Sequence, residues 1–318
     1  MLAQIGASPT RGAHGSGVVV NRPWAVILAG GEGTRLRPLT KILAGDDRPK
    51  QFCKVIGGET LLQQTTRRLG QLVQPEKTLT VVTRTHAHFL DPGVSPQSVL
   101  VQPENRGTAP AILYSLLTIA SREPGAHVGL FPADHYLAND AVFMKQVARA
   151  FGAIRQRPDL IITIGVVPYG PEVDYGWIEP GLPIEGVANG SLFEVRQFWE
   201  KPSRAAAEQL FAMGCLWNSF VIIGSVRSLV GLMRRAVPDL CEAFHDAQQI
   251  LGTTAVDDLI NVIYRQIPTV DFSRDVLAAC PTSLTVLPVA HAGWVDVGRP
   301  DRVRTLLSKG NALHSLSA

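Results

Sequence analysis

The sequence predicts an α/β protein with a mainly parallel central sheet covered on both faces. Three observations predict it. Short, continuously apolar runs recur along the first half of the chain, with segments of helical spacing between them. The first of these runs ends directly in a glycine-rich turn. The 318 residues are 46% hydrophobic and 18% charged, which supplies a sizeable core and excludes general disorder.

The elements follow in order. WAVILA at 24–29, closed by Gly30-Gly31, predicts a buried strand running into a turn. Residues 60–73 carry Leu61, Leu62, Leu69, Leu72 and Val73 at helical spacing. LTVV at 79–82 is the next strand, and 98–101 a short one. Residues 108–121 form a helix with Pro110 in its first turn, where proline is tolerated. VGLF at 128–131 is a strand, 141–154 a helix, and LIITIGV at 160–166 a strand. This alternation implies βαβ units on a parallel sheet.

Beyond 166 the pattern changes. Residues 176–179 and 192–199 are strands with no helix between them. A helix at 203–211 opens on Ser203 as its N-cap. A strand at 216–223 precedes helices at 226–236, 239–251 and 256–264, and the last strand is 284–289. The second half is expected to be an insertion and lid on the same sheet. We divide the chain into a tail (1–22), a main domain (23–305, with 23–170 and 171–305 as its halves) and a second tail (306–318).

Charge and cysteines narrow the class. Thirty Lys+Arg against 27 Asp+Glu give +3, too slight for a nucleic-acid footprint. No apolar run approaches the ~20 residues of a membrane-spanning helix, so no membrane is expected. Cys53, Cys215, Cys241 and Cys280 form no CxxC pair and read as reduced thiols. The small, polar residues 1–22 lack the apolar stretch of a secretory signal, so the expected location is cytoplasmic.

The glycine turn runs Leu28-Ala29-Gly30-Gly31-Glu32-Gly33-Thr34-Arg35-Leu36. Successive glycines let backbone N–H groups approach a phosphate chain without Cβ obstruction. A Walker A loop is absent, and a dinucleotide fingerprint lacks its third glycine, since Leu36 stands there. Arg35, Arg37, Lys41, Arg48 and Lys50 add cations beside the turn, enough for a polyanion of triphosphate size. The alternative is a solvated basic loop.

The segment LAGGEGTRLRPLT…RPKQF resembles the signature of the sugar-phosphate nucleotidyltransferases, within them the mannose-1-phosphate guanylyltransferase branch. The resemblance continues in QPENRGTAPAI (102–112), FPADH (131–135), DYGWIE (174–179), FWEKP (198–202), LWNS (216–219) and GWVDVG (293–298). It implies a Rossmann-like αβα sandwich of the nucleotide-diphospho-sugar transferase type, plus a sugar-binding insertion. It also implies a reaction, sugar 1-phosphate plus NTP giving NDP-sugar and pyrophosphate. The nucleophile, a phosphate oxygen, is already ionised, so positioning and electrostatics should supply most of the rate. A carboxylate-held Mg²⁺ is the natural device.

Asp134, at the carboxyl end of VGLFPAD where ligands of open α/β sheets bind, is assigned to the metal. The resemblance makes Asp296 the second carboxylate. His135 is either a ligand or, since Mg²⁺ prefers oxygen, a residue that orients the neighbouring loop. By the same resemblance, Arg35 and Lys50 are the triphosphate cations, and Lys201 holds the sugar phosphate. Glu200 accepts sugar hydroxyls, and Tyr175, Gly176 and Asn218 complete the sugar pocket. Leu28, Ala29, Gly30, Gly31, Gly33 and Thr34 contact nucleotide on one side; Glu104, Asn105, Gly107, Thr108 and Ala109 do so on the other. Glu104 could accept from guanine or simply be a helix-start charge. The expected substrates are GTP, or another NTP, and a hexose 1-phosphate, mannose 1-phosphate foremost. A homodimer through the 225–290 helices is also considered.

Three departures from the family pattern stand out. Lys41–Asp47 (KILAGDD) lengthens the approach to Lys50. Phe220 occupies a position where glycine is common. Near the end, TVDFSRDVLAACP keeps Asp271 as the one anchoring match. Trp177 and Trp294 are expected to pack rather than bind. The segment after GWVDVG is too short for an added isomerase module or β-helix, so a stand-alone transferase domain is expected. Two rival functions remain open: a non-catalytic nucleotide-sugar sensor, and a dinucleotide oxidoreductase.

Overall fold

The computed structural model describes residues 22–314 apart from 252, 254 and 255. The expected tail at 1–22 therefore lies, but for Arg22, outside the described residues. The chain opens with β1 (Trp24–Leu28), α1 (Arg37–Ala44), α2 (Leu61–Leu69), β2 (Thr78–Thr83) and β3 (Val99–Gln102). Next come α3 (Thr108–Arg122), β4 (His127–Pro132), β5 (His135–Leu137), α4 (Asp140–Gln156) and β6 (Ile161–Val166). The insertion contributes β7 (Gly176–Pro183), β8 (Phe193–Glu200), α5 (Arg204–Ala212) and β9 (Leu216–Ser225). Helices α6 (Val226–Ala236), α7 (Pro238–Ala243), α8 (His245–Ile250) and α9 (Val256–Gln266) lead to β10 (Thr285–Val289), β11 (Trp294–Asp296) and α10 (Pro300–His314).

Nine strands form one sheet in the order β3-β2-β1-β4-β9-β6-β10-β8-β7. β1 pairs in parallel with β2 and β4, β2 with β3, and β6 with β10. β9 runs antiparallel between β4 and β6, so the single sheet continues through both halves of the chain. β7 and β8 form an antiparallel edge.

β1 shows why the sheet is covered twice. Trp24 and Val26 join one core with Ile112 of α3 and Leu229 of α6. Ala25 and Ile27 point the other way and join a second core with Val147 and Phe151 of α4. Alternation of period two with both faces apolar is what a central strand requires. A third, smaller cluster of Leu36, Cys53, Val55, Leu61, Val297 and Val303 pins the end of the glycine turn to α10.

Several expectations change. The helix expected over 239–251 breaks at Phe244, whose ring is fully buried between Tyr114 and Tyr264. Residues 41–44 of the KILAGDD segment complete α1, which is capped by Gly45 at φ +79°, and Asp46 and Asp47 lie beyond the helix. The last helix crosses the expected boundary at 305. Among the described residues no helix is long and apolar enough to cross a membrane.

Candidate active site

The glycine turn leaves β1 with its backbone held from both sides. Ala29 N–H donates to Val81 O at 2.8 Å. Gln51 Nε2 donates to Ala29 O and Gly31 O, each at 2.8 Å, and is itself buried. A Cβ on Gly30 would lie 2.7 Å from Gln102 Nε2, so any larger residue would displace that side-chain amide. Gly33 takes φ +61° and hands the chain to the turn Thr34–Leu36.

The turn forms one wall of a cleft of about 320 Å³. Leu28, Gly30, Gly31, Asn105, Gly107 and Thr108 line it, as do Gln51 and Gln102, for which the sequence reading assigned no role. Ala29 and Ala109 are buried. Gly33, Thr34 and Arg35 lie outside this lining, and Arg35 is exposed. Glu104 is also exposed and outside it. Its carboxylate accepts from Arg106 Nη2 at 3.1 Å, as a local ion pair rather than a base acceptor facing the cleft.

The opposite wall depends on Gly107. Its φ is +86°, and a Cβ would sit 2.3 Å from Val270 O. Asn105 Oδ1 accepts from Gly107 N–H at 2.9 Å. Thr108 Oγ1 accepts from Phe272 N–H at 2.7 Å, and Tyr264 Oη donates to Gln102 Oε1 at 3.1 Å. Asp271, at the cleft edge, accepts from Arg274 N–H at 2.9 Å and caps the π-helical turn Phe272–Leu277.

Two carboxylates meet below the turn. Asp134 follows β4, and β5 pairs antiparallel with β11 so that Asp296 lies opposite His135. Lys50 Nζ lies 3.0 Å from Asp134 Oδ2 and 3.3 Å from Asp296 Oδ1, and donates to Val297 O at 2.7 Å. Lys50 is thus spent between the carboxylates, not free over the turn as expected of a triphosphate cation. Burial opposes its charge, but the two carboxylates outweigh burial and hold its pKa above the ordinary lysine value. Burial also opposes ionisation of Asp296, and Lys50, His135 and Arg302 together outweigh it to hold that carboxyl below its ordinary range.

His135 is neutralised by burial, which lowers its pKa. Trp294 Nε1 donates to His135 Nδ1 at 3.2 Å, so the ring proton sits on Nε2. The ring is a fixed wall beside Asp134.

These acids fit Mg²⁺. Their oxygens converge on one cation, and Mg²⁺ is held by one or two carboxylates together with waters and substrate phosphates. Among the described residues no cluster of three or more His, Cys, Asp or Glu forms an all-protein cage. Asp134 and Asp296 would hold the ion with waters, or substrate phosphates in their place, completing its shell.

The residues expected on the sugar side assemble across β7, β8 and β9. Gly176 pairs with Glu200, and a Cβ on Gly176 would lie 3.0 Å from Glu200 Oε2 and 3.2 Å from Asn218 Cβ. Asn218 Oδ1 accepts from Thr163 Oγ1 at 3.3 Å and Phe220 N–H at 3.0 Å. Lys201 is exposed, takes φ +48°, and donates from Nζ to Glu200 Oε1 at 2.7 Å. Tyr175 departs from expectation. Its ring is buried among Trp217 and Trp294, 5.0 Å from each, so only its backbone O reaches this group, accepting from Lys201 N–H at 3.3 Å. Trp177 and Trp294 pack as expected.

Phe220 takes φ +57°, in the left-handed region that favours glycine, which fits the glycine the resemblance led us to expect there. Its ring lines the cleft and sits edge-on to Phe272 at 6.2 Å.

A family model described as nucleotidyl transferase matches residues 24–309. Mannose-1-phosphate guanylyltransferase 2 of Escherichia coli O157:H7 is 30% identical over 295 residues, covering 86% of this chain and 58% of that protein. Mannose-1-phosphate guanylyltransferase of Sinorhizobium fredii is 31% identical over 288 residues, covering 87% and 53%. The chain thus spans a little over half the length of these curated relatives. A crystal structure from Thermus thermophilus, described as a mannose-1-phosphate geranyltransferase, superposes with a TM-score of 0.78 at 30% identity, over 90% of this chain and 79% of that one. With the family model running from β1 into α10, through both walls of the cleft and both carboxylates, this chain belongs to the nucleotidyl transferase family.

Proposed function

We propose that this chain transfers a nucleotidyl group from a nucleoside triphosphate to a hexose 1-phosphate, releasing pyrophosphate, with Mg²⁺ as cofactor. GTP and mannose 1-phosphate are the assigned pair, and the product is GDP-mannose. The observation that carries this reading is the meeting of Asp134 and Asp296 on one cation position beside a glycine turn. The choice of base and sugar draws on similarity to proteins named for that pair.

The chain's own residues do the following. Amides of the Gly30–Gly31 turn, stapled by Gln51, face the triphosphate. The base lies against Gln102, Asn105 and Gly107–Thr108 rather than Glu104. Glu200 accepts sugar hydroxyls, Asn218 donates from Nδ2, and Lys201 meets the sugar phosphate. Arg35, exposed at the turn, clamps the departing pyrophosphate. When bound, Mg²⁺ neutralises charge at the reacting phosphates. No protein nucleophile is needed, because a sugar phosphate oxygen is already ionised. The reaction would take place in the cytoplasm, and self-association is assigned to the 225–290 helices.

The test is a matrix of NTPs against hexose 1-phosphates with Mg²⁺, read by pyrophosphate release. The highest turnover is expected with GTP and mannose 1-phosphate. Pyrophosphate from no pair defeats the reading. Tight nucleotide-sugar binding without pyrophosphate release would point to the regulatory alternative.

A further inference from the structure

Arg302 lies in the first turns of α10 and has no place in the family motifs. Its side chain is only 10% exposed. Nη2 contacts Glu172 Oε2 at 2.8 Å and Asp174 Oδ2 at 3.1 Å. Nη1 is buried, has no hydrogen-bond partner, and lies 3.8 Å from Asp296 Oδ2. The guanidinium carbon sits 4.3 Å from the ring centroid of Tyr175. One planar group therefore touches the carboxylate of β11 on one side and the segment leading into Gly176 on the other.

The two oxygens of Asp296 are divided. Oδ1 faces Lys50 and the cation position shared with Asp134, while Oδ2 faces Arg302. We propose that Arg302 is a positioning residue that holds Asp296 with Oδ1 aimed at that cation position and ties the aim to the Asp174–Gly176 segment. The role rests on the nucleotidyl-transfer reading for its purpose, but its test does not depend on base or sugar. A lysine could keep the charge, yet its single ammonium cannot span Glu172, Asp174 and Asp296 while stacking on Tyr175.

The probe is Mn²⁺, added alone to the full chain and followed by electron paramagnetic resonance and water-proton relaxation. Arg302→Lys keeps the charge and loses the planar fork. Arg302→Met loses both. Groups that orient metal ligands typically matter 10–100-fold in affinity, so about tenfold weaker Mn²⁺ binding is expected for each folded variant. A role through charge alone predicts the opposite pattern: unchanged binding for Lys, and tighter binding for Met because a repelling cation is gone. Either variant decides by itself if the other fails to fold, as judged by circular dichroism and melting. Wild-type affinity in Arg302→Lys, tighter binding in Arg302→Met, or no Mn²⁺ binding by the wild type overturns the proposal. Weakened variants with no pyrophosphate release from any substrate pair would sustain Arg302's role and sink the transfer reading instead.

Discussion

Asp296 lies opposite His135 across the β5–β11 ribbon, and this register sets its carboxylate beside that of Asp134, the residue preceding His135. The ribbon is the device that joins two distant stretches of chain. If these acids hold the ion, Asp134→Asn and Asp296→Asn should each lower pyrophosphate release roughly a thousandfold or more, since a bound metal supplies several kcal/mol at the reacting phosphates. Normal turnover in either folded variant would remove both from the metal site.

Lys50→Met takes the resident counter-charge from both carboxylates. Breaking a fully buried pair costs about 3–5 kcal/mol, and partial exposure of these acids reduces that to about 1–3 kcal/mol here. A lower midpoint in urea is expected, and added Mg²⁺ should restore part of the loss because it takes over the vacated position. An unchanged midpoint would mean that the three-way contact contributes nothing.

Glu200→Gln and Lys201→Met separate the two substrates. Both residues lie in the β7–β9 group, apart from the cleft lining. A hydrogen bond involving a charged group is worth about 1.5–3 kcal/mol, so KM for the hexose 1-phosphate should rise about tenfold or more. KM for the triphosphate should stay within about twofold. Equal effects on both would place these residues on the nucleotide instead.

Long elements were legible because their patterns are strong: β1, β4 and β6 are continuous apolar runs, and α3 and α4 keep helical spacing over several turns. β5 and β11 are three residues each, too short for any period, yet they bring Asp134 and Asp296 together. α1 buries only Thr40, so its sequence reads as a loop. Gln51 and Arg302 act through partners remote in the chain, and neither residue type announces a role. Glu104 and Tyr175 were carried in by motif, but a motif does not say which way a side chain turns.

Gly107→Ala tests the cleft wall. The substitution meets both a left-handed backbone and Val270 O at 2.3 Å. Strain of about 1–2 kcal/mol and overpacking of about 1–3 kcal/mol should combine. Gly45→Ala is the control, with φ +79° and open space, and should cost only about 1 kcal/mol. Similar losses for the two in urea unfolding would show that the Val270 approach is relieved cheaply.

Burial pushes the thiols of Cys53 and Cys215 up to about 11. A neutral thiol is the form the fold favours, and in the unfolded chain it ionises near 9. Below that value both states keep the proton and stability is unaffected. As pH rises from about 9 to about 11 the unfolded state releases protons first, so the folded state loses stability across that window. Melting temperature should therefore fall there, and Cys53→Ala together with Cys215→Ala should flatten the fall relative to wild type. At pH 8 only about one in a thousand of these thiols is ionised, so a disulfide reagent should reach the partly exposed Cys280 well before Cys53 and Cys215. Rapid labelling of Cys53 in the folded chain would mean that the packing of Leu36, Val55, Leu61 and Val303 around it opens readily, and with it the seat of the glycine turn against α10.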